Sequence, residues 1–210
     1  MSLPTITLQA PYGSLVAKGK KTIETRSWST SYRGRLGIHQ GKTWAPGWRG
    51  WFDGDDWRCS ALDDIGADLN EDVNGSGSYR VDRYTLPLGA LVATAELVDV
   101  VPICSIEDED PPPCVAVGAT DLTLWEVPDY WHHESDEVDI SHQLPFGDFT
   151  PGRYAWLLDD IKPTTERCPN PACWGRPANY IAFACPTCEG AGHCPPIPAK
   201  GRQRLWRWEP

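Results

Sequence analysis

Residues 89–101 constrain this chain more than any other stretch. Leu91, Ala93, Ala95 and Leu97 recur at every second position and are followed by Val98 and Val100. A period of two belongs to a β-strand with one face buried, so the stretch commits its surroundings to a sheet. The apolar positions change parity at Val98, which calls for a β-bulge or for burial on both faces. Glu96, between apolar positions, is read as pointing outward.

Shorter stretches repeat this signal, and strands are expected near Thr5, Thr22, Leu36, Val92, Tyr154 and Leu205. Pro11 suits the first turn of a helix over residues 11–18. Tyr12, Leu15 and Val16 have helical spacing, and Gly19 ends the run. The expected class is α+β and mostly β, with one or two short helices, long loop insertions and a small zinc-binding module.

Two segments break the pattern. Residues 41–84 dissolve into Trp, Gly, Asp and Ser, with a Gly/Ser-rich piece at 74–78, and read as a loop insertion ordered in part by its tryptophans. Residues 105–142 form a second insertion, acidic and interrupted by Pro111, Pro112 and Pro113, in which 121–126 reads as a short helix or turn. His132 and His133, with Glu134 and Asp136, match no standard metal-ligand spacing.

The net charge of −10 argues against indiscriminate nucleic-acid binding, but the charges are segregated. Residues 18–49 hold eight Lys or Arg and one acid, Glu24, whereas residues 107–139 hold eleven acids and no Lys or Arg. Lys200, Arg202, Arg204 and Arg207 make the closing stretch basic again. If the two basic stretches form adjacent strands, they make a positive surface on an acidic body. The chain has 11 Trp, several of them beside cations as in Trp206-Arg207-Trp208, a mixture suited to base stacking and phosphate contact or to a small β core.

The densest group of ionisable residues outside the solvated loops lies at 19–26, Gly-Lys-Lys-Thr-Ile-Glu-Thr-Arg, followed by Trp28 and Tyr32. On a strand, Thr22, Glu24 and Arg26 share one face and Lys21, Ile23 and Thr25 the other. One reading is a solvated edge; the other is a pocket in which Lys21 neutralises phosphate or polarises a carbonyl, Glu24 accepts from a base edge, and Arg26 braces Glu24.

Three pieces resemble the ASCH domain family. They are Leu8-Gln9-Ala10-Pro11-Tyr12 with Gly19-x-Lys21-Thr22-x-Glu24-x-Arg26 and Tyr32-Arg33-Gly34-x-Leu36-x-Ile38-His39; the run from Phe146 through Pro151, Gly152 and Arg153 to Trp156; and Gly201-Arg202-Gln203-x-Leu205-Trp206. The resemblance implies a PUA-like antiparallel β-barrel, related to the EVE and YTH readers of modified bases. It spans residues 1–165, with insertions at about 41–84 and 105–142, and residues 200–210 as the closing strand. It also implies RNA or nucleotide binding, with Lys21, Thr22, Glu24, Arg26, Trp28, Tyr32, Arg153 and Tyr154 as ligand-binding candidates. The family includes binders, a ribonuclease and an amidohydrolase acting on acetylated cytidine. If this chain is an enzyme, Lys21 and Glu24 are the catalytic candidates, although Glu24 stands where the amidohydrolases carry their catalytic threonine.

Eight cysteines divide unevenly, and five fall at 168–194 as Cys168-x4-Cys173-x11-Cys185-x2-Cys188-x5-Cys194, with His193 beside the last. Two Cys knuckles joined by a short loop present four thiolates tetrahedrally, the geometry of structural Zn²⁺. The preferred ligands are Cys168, Cys173, Cys185 and Cys188, with Cys194 or His193 as the alternative, in a zinc-ribbon-like module inserted at 166–199. Disulfides fit less well, because residues 2–5 lack the basic start and apolar run of a secretion signal.

The expected partners are therefore RNA or a nucleotide, with DNA second, no membrane, and a protein partner for the acidic insertions. The expected location is the cytoplasm. A hydrolase in the same pocket (ribonuclease, or amidohydrolase on an acylated nucleoside) and a zinc-containing interaction adaptor are the competing readings.

Overall fold

The computed structural model describes residues 2–82, 86–105, 114–118, 121–125, 137–164, 197–198, 201 and 204–208. The cysteine and histidine residues assigned to zinc, Cys168, Cys173, Cys185, Cys188, His193 and Cys194, lie outside the described residues. So does the His132/His133 segment. The chain is mostly β with few helices, as expected, and divides into two compact units. Unit 1 comprises Met1–Gly19, Leu36–Thr94 and Ile161–Pro210; unit 2 comprises Lys20–Arg35 and Ala95–Asp160.

Unit 1 opens with β1 (Leu3–Ala10) and α1 (Tyr12–Ala17). Leu15 and Val16, one apolar face of the helix, are fully buried, and Gly19 closes it at φ 71°, a conformation that costs glycine little. The helix lies close to β3 (Gly34–Trp44): a Cβ on Gly13 would stand 2.8 Å from the Cβ of Gln40. Buried Gln40 accepts from the Ser14 amide at 2.8 Å and from its hydroxyl at 3.0 Å, and donates to the Pro87 carbonyl at 3.2 Å.

β1 pairs in parallel with β3, and antiparallel with the closing strand, which is numbered last below. Between them in the chain lie a 3-10 turn at Pro46–Trp48, β4 (Phe52–Asp53), α2 (Trp57–Asp64), β5 (Leu69–Glu71) and β6 (Ser78–Val81). β4, β6 and β5 make a separate three-stranded antiparallel sheet, so residues 41–84 carry regular structure where a loop insertion is expected. The reason is local: Asp56 caps α2 by accepting from the Arg58 amide, and the Gly/Ser-rich piece is the turn between β5 and β6.

β7 (Ala90–Ser105) is the long strand the sequence announces. Its odd-numbered apolar positions, Leu91, Ala93, Ala95, Leu97, Val101 and Ile103, are all buried, so the inward face does not switch at Val98. Val98 is half-buried against the core of unit 2, and at 90–93 both faces are covered. Burial on both faces, the second of the two expected explanations, accounts for the pattern.

In unit 2, β2 (Ile23–Arg26) pairs antiparallel with β11 (Tyr154–Pro163). β8 (Cys114–Val117), β9 (Leu122–Trp125) and β10 (Glu137–Asp139) extend the sheet from β7 in the order β7-β8-β9-β10, with β7 and β8 parallel. The expected helix or turn at 121–126 is thus a strand, with Leu122 and Leu124 fully buried. They join Ile23, Ile103, Phe149 and Leu157 in one core. A 3-10 segment, Ser141–Phe146, leads into β11.

β12 (Ile197–Pro198) pairs with β7, and the closing strand is β13 (Trp206–Trp208). β13 joins the same sheet as β1, as expected. Two expectations need correction. Among the described residues the strands do not close into a barrel: in unit 1 the order β7-β3-β1-β13 ends at β13, and in unit 2 the series from β7 ends at β10. Moreover, the two basic stretches do not supply adjacent strands of the unit 1 sheet, since β1 lies between β13 and β3. No described helix is long and apolar enough to cross a membrane.

Candidate ligand-binding site

Among the described residues Lys21 is the most buried charge, with almost none of its surface exposed. It lies two residues before β2, so strand periodicity does not govern it, and its side chain meets Glu24, which period two puts on the opposite face. The ammonium donates to the Ile23 carbonyl at 2.5 Å and the Phe146 carbonyl at 2.7 Å, and lies 3.2 Å from Glu24 Oε2. Three acceptors match its three hydrogens, the condition under which a buried ammonium is tolerated. Burial pushes its pKa below the ordinary lysine value, Arg26 adding to this, while the Glu24 carboxylate acts the other way.

Glu24 bridges to a second cation: Arg26 Nε lies 3.0 Å from Glu24 Oε1, and the Arg26 side chain is 22% exposed. The network therefore runs from a buried ammonium through a nearly buried carboxylate to a guanidinium at the surface. Cross-strand register places Tyr154 opposite Arg26 and Trp156 opposite Glu24. Trp156 is fully buried and meets Trp28 edge-on, with ring centroids 4.8 Å apart at 82°. Trp28, Tyr32, Arg153 and Tyr154 are each partly exposed. The Tyr32 hydroxyl donates to the Arg35 carbonyl at 2.6 Å, and Arg153 lies 3.3 Å from Asp148.

Asp148 in turn accepts from the Thr150 hydroxyl and amide, and the hydroxyl bond holds its carboxyl below the usual range. Its own amide donates to Thr25 Oγ1 at 3.0 Å. Thr22 is half-buried; its carbonyl accepts from the Leu158 amide.

One residue of this constellation is absent from the sequence reading. Gln143, 1% exposed, accepts from the amides of Thr22 at 3.0 Å and Ile23 at 3.3 Å and donates to the Lys20 carbonyl at 3.1 Å. It clamps the backbone on both sides of Lys21. A lone glutamine in an acidic segment offers no periodicity or spacing by which to find it.

Among the described residues no group of His, Cys, Asp and Glu could hold a metal ion. Cys59, Cys104 and Cys114 are free thiols, and burial pushes the Cys59 thiol up. Together, the network offers a fixed guanidinium, a desolvated ammonium–carboxylate pair and aromatic rings at its border. This is chemistry for holding an anionic or base-bearing ligand.

Comparison with the curated proteins finds no match. The ASCH domain profile matches residues 6–116, which contain the first of the three resembling pieces and the whole run from Lys21 to Arg26. That is more than half of the sequence, and the chain belongs to the ASCH domain family.

Proposed function

We propose that this protein binds RNA or a nucleotide through the surface bordered by Arg26, Trp28, Tyr32, Arg153 and Tyr154, which the buried Lys21–Glu24 pair holds in place. ASCH domains generally bind RNA, in keeping with this reading. The observation that carries it is the Lys21–Glu24–Arg26 network: two cations share one carboxylate, and the excess positive charge ends at a partly exposed guanidinium. A guanidinium at the surface has the planar donor geometry that suits phosphate or a base edge. Lys21 serves chiefly to fix Glu24, since its hydrogens already have acceptors, and a ligand reaches it by displacing the partly buried Phe146 carbonyl. RNA is the preferred partner and DNA the second; the modification state of the base is left open.

The depressed Lys21 pKa beside a carboxylate supports a second reading, a hydrolase in the same site. Lys21 would stabilise developing negative charge and Glu24 would move the proton. The two readings separate in one experiment. A panel of nucleosides and short RNAs is screened by thermal shift, and hits are followed for product. Stabilisation without turnover supports the binder and turnover supports the enzyme. Failure of every ligand to shift the melt of the intact chain rules out both.

We also propose a structural Zn²⁺ held by Cys168, Cys173, Cys185 and Cys188, with Cys194 or His193 as alternative. The support is the donor set and its spacing. A thiolate site of this kind, and the free Cys59, Cys104 and Cys114, suit the reducing cytoplasm.

A further inference from the structure

Unit 1 holds a cleft of about 410 Å³, within the range of small-ligand sites. Its walls include Trp44, Trp48 and Trp51 together with Lys42, Arg49 and Arg80, and no acidic residue among the described residues. In a chain of net charge −10, three cations and three indoles around one cavity, with no carboxylate among its described walls, are a marked local reversal. The walls are built differently from the rim. Trp48 is 2% exposed and held edge-on by Tyr12 (6.1 Å, 90°) and Trp57 (5.2 Å, 83°). Arg49 is fixed by donating from Nε (3.0 Å) and Nη2 (2.7 Å) to the Trp44 carbonyl.

Trp51, by contrast, is 52% exposed, and Lys42 and Arg80 are exposed with no ion-pair partner among the described residues. An exposed indole keeps apolar ring surface in water that a stacked base would cover, and two cations lining one cleft favour an anion there. Trp44 adds an independent sign. It is 5% exposed, and its indole N–H is buried with no acceptor among the described residues, a defect that folded proteins rarely leave unmet.

We propose that this cleft is a second nucleotide-binding site, which seats one nucleotide unit of a single-stranded RNA with its base against Trp51 and its phosphate between Lys42 and Arg80. Base and phosphate are the two features of one ligand that match an indole and paired cations at a single mouth. An acidic peptide would satisfy the cations and leave the indoles without a role. The choice of RNA as ligand rests on the proposed function; the location does not, because no residue of the cleft belongs to the Lys21 network.

The test is fluorescence anisotropy of a labelled short single-stranded RNA on the full chain, with Trp51→Ala, the pair Lys42→Gln/Arg80→Gln, and Arg26→Gln as variants. All four positions carry exposed or partly exposed side chains, and circular dichroism melts check folding. Trp51→Ala is expected to weaken binding about 5- to 100-fold, the loss of one base stack. The charge pair is expected to lower the slope of log Kd against log salt by about 1.4, two single-strand phosphate contacts at roughly 0.7 each.

Loss in these variants with Arg26→Gln unchanged supports the cleft and overturns the Lys21-network site. Loss only in Arg26→Gln overturns the cleft and leaves that site standing. An abasic oligomer or a polyglutamate peptide that binds the cleft as tightly as RNA overturns the proposal, as does no binding of RNA by the parent chain.

Discussion

Lys21 and Phe146 are joined by a 2.7 Å bond from the ammonium to a main-chain carbonyl across 125 positions of sequence. That bond ties the segment before β2 to the segment before β11, so the family motif is structural before it is chemical. Its removal is expected to show first in folding.

Lys21→Met keeps the aliphatic stem and removes the charge. The Ile23 and Phe146 carbonyls lose their donor, while Glu24 retains Arg26. The expected loss is about 1–3 kcal/mol in urea unfolding, the range for buried polar groups left without partners. An unchanged midpoint would mean the ammonium is not needed where it lies.

The depressed Lys21 pKa gives a pH signature with a definite sign. Between the folded pKa and the ordinary value of 10.5, the unfolded chain holds a proton that the native chain has released, so raising pH there favours the native state. Below the folded pKa both states are charged and the burial penalty is present in full. Relative to Lys21→Met, the parent should therefore gain stability as pH rises toward 10. Paired urea midpoints at neutral and alkaline pH would show it, and a gap that narrows or reverses would contradict it.

Gln143→Ala should be among the most damaging single changes in unit 2. It strips the acceptor from two amides and the donor from the Lys20 carbonyl, for a loss of about 2–5 kcal/mol. Hydrogen exchange offers a local check: the Thr22 and Ile23 amides should lose protection in the variant beyond what global destabilisation explains.

Gly13→Ala sets two effects against each other. Alanine is the better helix former by about 1 kcal/mol. The new methyl, however, would lie 2.8 Å from Gln40 Cβ and 3.2 Å from Val92 Cγ2, and overpacking of this kind costs about 1–3 kcal/mol. The six-residue helix cannot tilt without breaking its bonds to Gln40, so a net loss of about 1–2 kcal/mol is expected in thermal melts. A rise in melting temperature would show that α1 can shift.

For the proposed zinc, metal analysis of protein purified without chelator should return about one equivalent per chain, because four-thiolate sites bind the ion tightly. Chelation should then expose the thiols at 168–194 to labelling while circular dichroism of the β-sheet changes little. Zinc-free, fully folded protein would remove the metal from consideration.

Much of the fold was legible because strand and helix periods are local. Leu36 and Ile38, the odd positions of β7, and the helix expected at 11–18 and found at Tyr12–Ala17 each announce themselves within a few residues. β9 was not legible, because only Leu122 and Leu124 carry its apolar face and the surrounding acids mask them. The partnership of Arg26 with Glu24 follows from strand spacing; that of Lys21 with Glu24 does not, since it arises where the strand has not yet begun. The cleft beside Trp51 was hidden for a different reason: Lys42 and Arg80 are brought together only by the small sheet that residues 41–84 build.

The carboxamide of Gln143 has the same donor and acceptor as a peptide group, and at the entry to β2 it is bonded as one, taking two N–H groups and one C=O. A single side chain thus acts as a miniature extra strand. β2 has only four residues, and its partner is β11. Backbone left open beside so short a strand would be a template for the strand of another molecule. Because Gln143 fills those positions from within the chain, protein lacking the carboxamide is expected to aggregate at concentrations the parent tolerates.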